Sequence, residues 1–284
     1  MGDTLQPTST GQMVLRSVDG LVSFSDATQT YVLDPSGKVQ VRGPRERFPW
    51  EFNADGFPLV GEQLVIENGL GYDDFSDHVL STLSQQPLII NAGDVVGLEV
   101  GANPHVWYST AYVDQIRSAI TAGLEQLAPA YAAYFEAQSA AVGKRMTTYH
   151  SLVSEVAQQF AGTPVGATET IFAYMADSTG LQLVSPSGFM QSVSEGNEPS
   201  ARDIAIFHDQ ISSQRIQVLV YNTQTLTSLV DQFQQLAHDN NILTVGVSET
   251  MPPDAQTFQG WQATELQLLL NALQNASARG PATG

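Results

Sequence analysis

Apolar and polar positions divide the chain into a short stretch of strand-like alternation and a much longer one in which strand and helix patterns take turns. Near the start, Tyr31-Val32-Leu33 and Lys38-Val39-Gln40-Val41 alternate on either side of Asp34-Pro35-Ser36-Gly37, a type I turn sequence, so residues 28–42 predict a β-hairpin. Residues 43–58 hold three prolines and four aromatics without either periodicity and predict a loop. Beyond residue 62 the pattern changes. Gln63 to Glu67 reads as a strand, and Asp73 or Asp74 caps a helix with Phe75, Val79, Leu80 and Leu83 on its apolar face. Leu88-Ile89-Ile90 is the next strand. Val113, Ile116, Ile120, Leu124 and Leu127 then recur at spacings of three and four, the mark of an amphipathic helix.

Pro129 suits the first turn of a longer helix, along which Phe135, Val142, Met146, Tyr149, Val153, Val156 and Phe160 recur at spacings near three, four and seven. A helix of roughly thirty residues spans about 45 Å, enough to join two lobes as a strut. After Gly162, strands are predicted near 163–167, 181–184, 216–221 and 242–247 with helices between them, Ser200 and Asp203 forming a capping-box variant. The last helix is expected from Phe258 to Leu273. This alternation predicts an α/β protein: two lobes with parallel sheets flanked by helices, joined by one long rigid helix, with extra β-hairpin character at the N-terminus. The expected divisions are residues 1–60 as an atypical N-terminal segment, 61–127 as an N-terminal lobe, 128–161 as the linker helix and 162–284 as a C-terminal lobe.

Charge sharpens the division near residue 60. Residues 1–60 carry five Lys and Arg against seven Asp and Glu, a net −2, which leaves −16 of the total −18 for the rest of the chain. Such acidity argues against nucleic-acid partners, which need clustered Lys and Arg, and favours attraction of cations. With no cysteine, disulfides, thiolate metal sites and lipid-modified cysteines are all excluded. Residues 1–15 contain no apolar signal core and no later run is long enough to span a bilayer, so an exported protein is expected here without its export signal.

The candidate chemistry centres on Asn103-Pro104-His105-Val106-Trp107. Pro104 fixes its own φ and holds Asn103 extended, so His105 leaves the loop at a set angle just ahead of a helix. In open α/β sheets, ligands bind at the carboxyl ends of strands, and Glu169 and Glu249 fall there, after the strands containing Val165 and Val247. Each residue also has a plainer use. His105 can hydrogen-bond a loop backbone, Glu169 can face a helix N-terminus, and Glu249 can be a solvent-facing loop acid. His78, His150, His208 and His238 read as surface or packing residues on helices, and Gly69-Leu70-Gly71 as a turn.

Five stretches in order carry a family likeness: Leu64-Val65-Ile66-Glu67-Asn68-Gly69-Leu70-Gly71-Tyr72-Asp73-Asp74-Phe75, Asn103-Pro104-His105-Val106-Trp107-Tyr108, Ala167-Thr168-Glu169-Thr170-Ile171-Phe172-Ala173-Tyr174, Ser194-Glu195-Gly196-Asn197-Glu198-Pro199-Ser200 and Val247-Ser248-Glu249-Thr250. Over residues 62–275 the chain resembles the zinc- or manganese-specific solute-binding receptors of ATP-binding-cassette importers, cluster A-I type. That resemblance implies two lobes on one long helix with a divalent ion between them, the metal ligands here being His105, Glu169 and Glu249. One imidazole and two carboxylates suit Zn²⁺ or Mn²⁺, and the lack of thiolate argues against Cu(I). The first ligand of the family, the His of an Asp-Pro-His segment, has no counterpart: its slot falls near Arg47 or Phe48, and Asp34-Pro35 is followed by Ser36. Water, or a carboxylate such as Glu51 or Asp55, is then expected in the fourth place.

The resemblance implies a monomeric receptor, periplasmic or extracellular, that passes Zn²⁺ or Mn²⁺ to the permease subunits of an importer. Two other classes stay open at the level of sequence: a degenerate relative with an adhesive or structural role, and a metal-dependent hydrolase using the open coordination position. No His-Glu-x-x-His, Gly-x-Ser-x-Gly or Gly-x-x-x-x-Gly-Lys motif supports an enzyme, and none is expected. Because the ligands must be deprotonated, binding is expected to weaken below about pH 6.

Overall fold

The computed structural model describes residues 4–8, 11–15, 22–26, 30–33 and 39–42 as backbone, and residues 64–278 except 82–85 and 226, with the side chains of 77–79 also left out. The chain divides into two compact units, Met1–Glu62 and Gln63–Gly284.

The first unit is an antiparallel meander of β1 (Thr4–Thr8), β2 (Gly11–Leu15), β3 (Val22–Asp26), β4 (Thr30–Leu33) and β5 (Val39–Arg42), paired in that order. The hairpin expected over residues 28–42 is β4–β5, with Tyr31 opposite Val41 and Leu33 opposite Val39. It belongs to a larger sheet. Strands β1 and β2 lack a clean apolar alternation because Thr, Gln and Gly fill many of their positions, whereas β3 alternates Val22 and Phe24 with Ser23 and Ser25. Pro7 cannot donate to a ladder and is tolerated because β1 is an edge strand. The turn at 34–38, the loop expected at 43–58, and Arg47, Phe48, Glu51 and Asp55 lie outside the described residues.

The second unit opens with β6 (Leu64–Glu67), α1 (Phe75–Leu80), β7 (Leu88–Asn91), α2 (Ala92–Val95) and α3 (Thr110–Leu127), and β6 and β7 form a parallel pair. Ser109 caps α3 by accepting from the Tyr112 amide. The apolar face expected for the first helix is only partly realised: Phe75 is 74% exposed, and Leu83 is outside the described residues. Asp73, expected as a helix cap, instead turns its carboxylate onto the amides of Asn68 and Gly69. That closes a turn in which Gly69, Leu70 and Gly71 all have positive φ. At Gly69 a Cβ would overlap the Asn91 carboxamide, so glycine is required on two counts.

The strut is built in two segments. A 3₁₀ turn at Pro129–Tyr131 leads into α4 (Ala132–Arg145), and α5 (Thr147–Phe160) follows after one distorted residue, Met146, with ψ −10°. The Met146 amide still donates to the Val142 carbonyl, and the Met146 carbonyl accepts from the His150 amide, so the bonding carries through the distortion. Its reason is visible in burial. Tyr149, Val153, Val156 and Phe160 on α5 are buried, whereas no residue of α4 is. One half is thus anchored and the other only partly covered.

The remaining elements are β8 (Pro164–Ala167), α6 (Ala173–Thr179), β9 (Gln182–Leu183), α7 (Ser187–Ser194), α8 (Ala201–Ser212), β10 (Val218–Asn222), α9 (Ser228–Asp239), β11 (Leu243–Val247) and α10 (Phe258–Ala278). Their strands make a four-stranded sheet in the order β11-β10-β8-β9, all parallel. Fully buried Val165, Val218 and Leu219 show why these strands read as continuous apolar runs: both faces are covered. Phe189, Phe207 and Phe233 pack one face with ring centroids 4.8 to 5.2 Å apart. The α10 helix lies along α5 and β11, tying the strut to this lobe.

Candidate metal centre

Three neighbouring strands deliver polar side chains from their carboxyl ends. Glu169 follows β8, Asn222 ends β10 and Glu249 follows β11. His105 approaches from the other lobe on the loop ahead of α3. Its backbone (φ −77°, ψ 47°) is close to an inverse γ-turn, with the Val106 amide donating to the Pro104 carbonyl at 2.7 Å. The same carbonyl accepts from the Asn68 side chain at 3.0 Å, which pins the loop to the end of β6.

The hydrogen bonds fix the chemical state of His105. Asn103 Nδ2 donates to the Thr170 carbonyl at 2.8 Å, so its Oδ1 is the end that faces the imidazole. A carboxamide oxygen only accepts, hence His105 Nδ1 carries the proton and donates to it at 2.6 Å. Nε2 is left with its lone pair, 3.9 Å from Glu249 Oε1. Burial holds the imidazole pKa down near 4, against a smaller upward pull from Glu249, so the ring is neutral at pH 7. The pair is therefore no salt bridge. Two acceptors face each other across a gap, which is unfavourable unless a cation or a hydrogen-bond donor lies between them.

Glu169 extends the same pattern. It is 3% exposed, and its Oε1 has no hydrogen-bond partner among the described residues. Burial raises its pKa to about 7, helped by the negative charge of Glu249 and opposed by Asn222 and Thr225. Glu249 itself is held on both oxygens, Tyr72 donating to Oε1 at 3.0 Å and Asn222 Nδ2 facing Oε2 at 3.4 Å. Burial, followed by the hydrogen bond to Glu249, lifts the Tyr72 pKa to about 12, so the phenol remains a donor. Trp107 walls the site, with His105 and Tyr72 edge-on to its ring at 5.2 and 5.4 Å.

His105 and Glu249 are thus brought together, and Glu169 feels the charge of Glu249. As placed, no three His, Asp or Glu side chains among the described residues close on a single point. Sequence reasoning missed Asn222, Tyr72 and Asn103 as contributors. Asn222 had a usable signal, since it ends a strand beside the two acids; Tyr72 had none, because its partner lies 177 residues away. Three of the other histidines stand apart from the site: His150 Nε2 faces Asp114 at 3.6 Å, His208 bonds Ser212 and His238 neighbours Asp239, while the side chain of His78 lies outside the described residues.

Residues 60–272 match the family model for the periplasmic zinc-uptake complex component A, ZnuA. The chain belongs to this family. Among solved structures, the nickel complex of the solute-binding protein FpvC from Pseudomonas aeruginosa has a TM-score of 0.61 at 20% identity, covering 79% of this chain and 83% of that one. The cadmium-bound periplasmic metal-binding protein of Candidatus Liberibacter asiaticus gives 0.60 at 18%, over 74% and 80%. The periplasmic zinc-binding protein TroA of Treponema pallidum gives 0.59 at 17%, over 75% and 80%. At these identities the likeness is one of fold, and it supports the two-lobed architecture with parallel sheets flanked by helices. No curated protein matches the chain. The family match begins at residue 60, next to the division between the two compact units.

Proposed function

We propose that the chain is an extracytoplasmic receptor that takes a divalent transition metal between His105 of the first lobe and Glu169 and Glu249 of the second, and passes it to the permease of an ATP-binding-cassette importer. Membership of a family of periplasmic zinc-uptake components supports this, as do relatives of the same fold solved with nickel, cadmium and manganese. The family is one of solute-binding proteins, and its role is uptake rather than catalysis. Among the described residues no helix is long and apolar enough to cross a membrane.

The observation that carries the proposal is a convergence of acceptors: His105 Nε2 faces Glu249 Oε1 across 3.9 Å, that oxygen takes the Tyr72 hydroxyl as its donor, and the buried Glu169 Oε1 has no hydrogen-bond partner among the described residues. A buried acceptor left without a donor, as Glu169 Oε1 is, costs free energy that a cation relieves. Neutral imidazole with two carboxylates is a borderline-hard donor set, suited to Zn²⁺ or Mn²⁺. Metal supplied to the metal-free protein should bind at one equivalent and raise its melting temperature, since a ligand of the native state alone stabilises it. His105→Ala should abolish most of that rise. Wild-type protein that takes up neither Zn²⁺ nor Mn²⁺ in dialysis with metal analysis would leave the degenerate-relative alternative in its place.

A further inference from the structure

One carboxylate that touches no candidate ligand nonetheless joins the two stretches of chain that carry His105 and Glu249. Glu265 lies on α10, half-buried behind the site. Its Oε1 accepts from the Ser248 amide and hydroxyl, both at 2.8 Å, and from Trp261 Nε1 at 2.7 Å. Its Oε2 accepts from the Tyr108 hydroxyl at 2.7 Å. Ser248 is the residue before Glu249. Tyr108 closes the 3₁₀ turn that His105 begins, with its amide donating to the His105 carbonyl at 3.0 Å.

Glu249 is anchored on its other side too, where Gln224 Oε1 accepts from the Thr250 amide at 2.9 Å. That anchor stays within one lobe. The Glu265 anchor crosses, because Tyr108 belongs to the loop of the first lobe, and the Tyr108 hydroxyl also lies 2.8 Å from the Ser248 carbonyl. Tyr108 is 1% exposed and edge-on to Trp261, so its position is set by packing as well as by these bonds. His105 Nε2 and Glu249 Oε1 repel one another in the absence of a cation. Something other than their own attraction must hold them in register.

We propose that Glu265 is a positioning residue for metal capture: by binding Ser248 and Tyr108 at once it sets the His105–Glu249 gap across the two lobes before the ion arrives. This rests on the receptor function proposed above and adds to it a residue outside the donor set. A preset gap spares the ion the cost of ordering its ligands. Groups that orient ligands in this way change metal affinity by about 10- to 100-fold when removed.

The test uses the full chain and three variants, Glu265→Leu, Glu265→Gln and Tyr108→Phe. Zn²⁺ affinity is measured by competition with a chromophoric chelator, the visible spectrum of the Co²⁺-loaded protein reports the donor set, and amide hydrogen exchange in the metal-free protein reports residues 106–108 and 248–250. Glu265→Leu should lower affinity at least about tenfold, leave the saturated Co²⁺ spectrum unchanged, and speed exchange in both segments together. Glu265→Gln should recover most of the loss, since its amide oxygen still accepts from Ser248 and Trp261 while its NH₂ donates to the Tyr108 hydroxyl. Tyr108→Phe should speed exchange at 106–108 and weaken Zn²⁺ binding with Ser248 still bonded to Glu265, and it carries the same expectation should Glu265→Leu fail to fold. Faster exchange confined to 248–250, or wild-type affinity in both Glu265→Leu and Tyr108→Phe, would reduce Glu265 to a local cap and overturn the proposal. Absence of metal binding by the wild type would instead sink the receptor function, and the exchange measurement would still decide whether Glu265 couples the two segments.

Discussion

A carboxamide has one donating and one accepting end, and at Asn103 the Thr170 carbonyl takes the donating end and leaves the oxygen to the imidazole. That single arrangement turns His105 Nε2 into a free lone pair. Asn103→Ala should therefore cut metal affinity by about 10- to 100-fold by releasing the tautomer, and cost about 1–3 kcal/mol of stability through the unmet partners it leaves. Chelator competition and urea denaturation would separate the two effects. Protonation acts on the neighbouring acid. With its pKa raised from 4.5 to about 7, Glu169 favours the folded metal-free protein below pH 4.5, and that contribution is lost as the pH rises through 7. His105, lowered from 6.5 to about 4, acts oppositely: its contribution is present above pH 6.5 and is lost as the pH falls through 4. Between 4.5 and 6.5 the two slopes oppose, so the metal-free melting temperature should vary less there than either group alone would dictate. In the proposed site the metal takes the Glu169 carboxylate, so affinity should begin to fall near pH 7, earlier than the value of about 6 expected from an unperturbed histidine. Titrations at pH 8, 7 and 6 showing uptake of protons, or none released, on binding at pH 6 would contradict this.

Elements explain why some of the site was legible in the sequence and some was not. Val165 and Val218 to Val220 lie in strands buried on both faces, and Val245 and Val247 line the buried face of β11, so each strand ends where its apolar positions end, and Glu169 and Glu249 can be placed from that alone. Asn222 follows the same rule. Glu265 does not, because on a helix its register with Trp261 says nothing about Ser248, and the contact exists only once β11 and α10 pack. The strut shows a similar limit. Apolar spacing predicts its path from Pro129 to Phe160 but cannot encode a local distortion at Met146, which follows from one half being buried and the other not. Packing on β8 gives a prediction at this scale. Gly166 faces Phe207 and Ile216 so closely that a Cβ would sit 2.8 Å from the Ile216 Cδ1, and overpacking of this kind costs about 1–3 kcal/mol. Gly166→Ala should lower the urea midpoint accordingly while leaving the Co²⁺ spectrum of the loaded protein unchanged, since Glu169 lies beyond the strand end. A stability equal to wild type would mean that α8 and its neighbours yield to the extra methyl.

At the scale of the whole chain, 29 acidic against 11 basic side chains give a net charge of −18, and all but −2 of it lies beyond residue 60, where the family match also lies. A field of that sign concentrates divalent cations around the protein and speeds their encounter with the site, whereas it contributes little to holding an ion already enclosed by ligands. Its reach is set by screening, about 30 Å at 0.01 M salt and about 8 Å at 0.15 M. The two stages of capture should therefore respond differently to ionic strength. The association rate for Zn²⁺, followed by stopped-flow with a fluorescent chelator, should drop severalfold as a non-coordinating salt is raised over that range. The dissociation rate should change far less, because the proposed ligands would hold the ion directly, with His105 and Glu169 buried and Trp107 edge-on to the imidazole. Equal sensitivity of both rates would mean that the ion is held by the diffuse acidic surface rather than by these three side chains. An insensitive association rate would mean that the charge plays no part in capture.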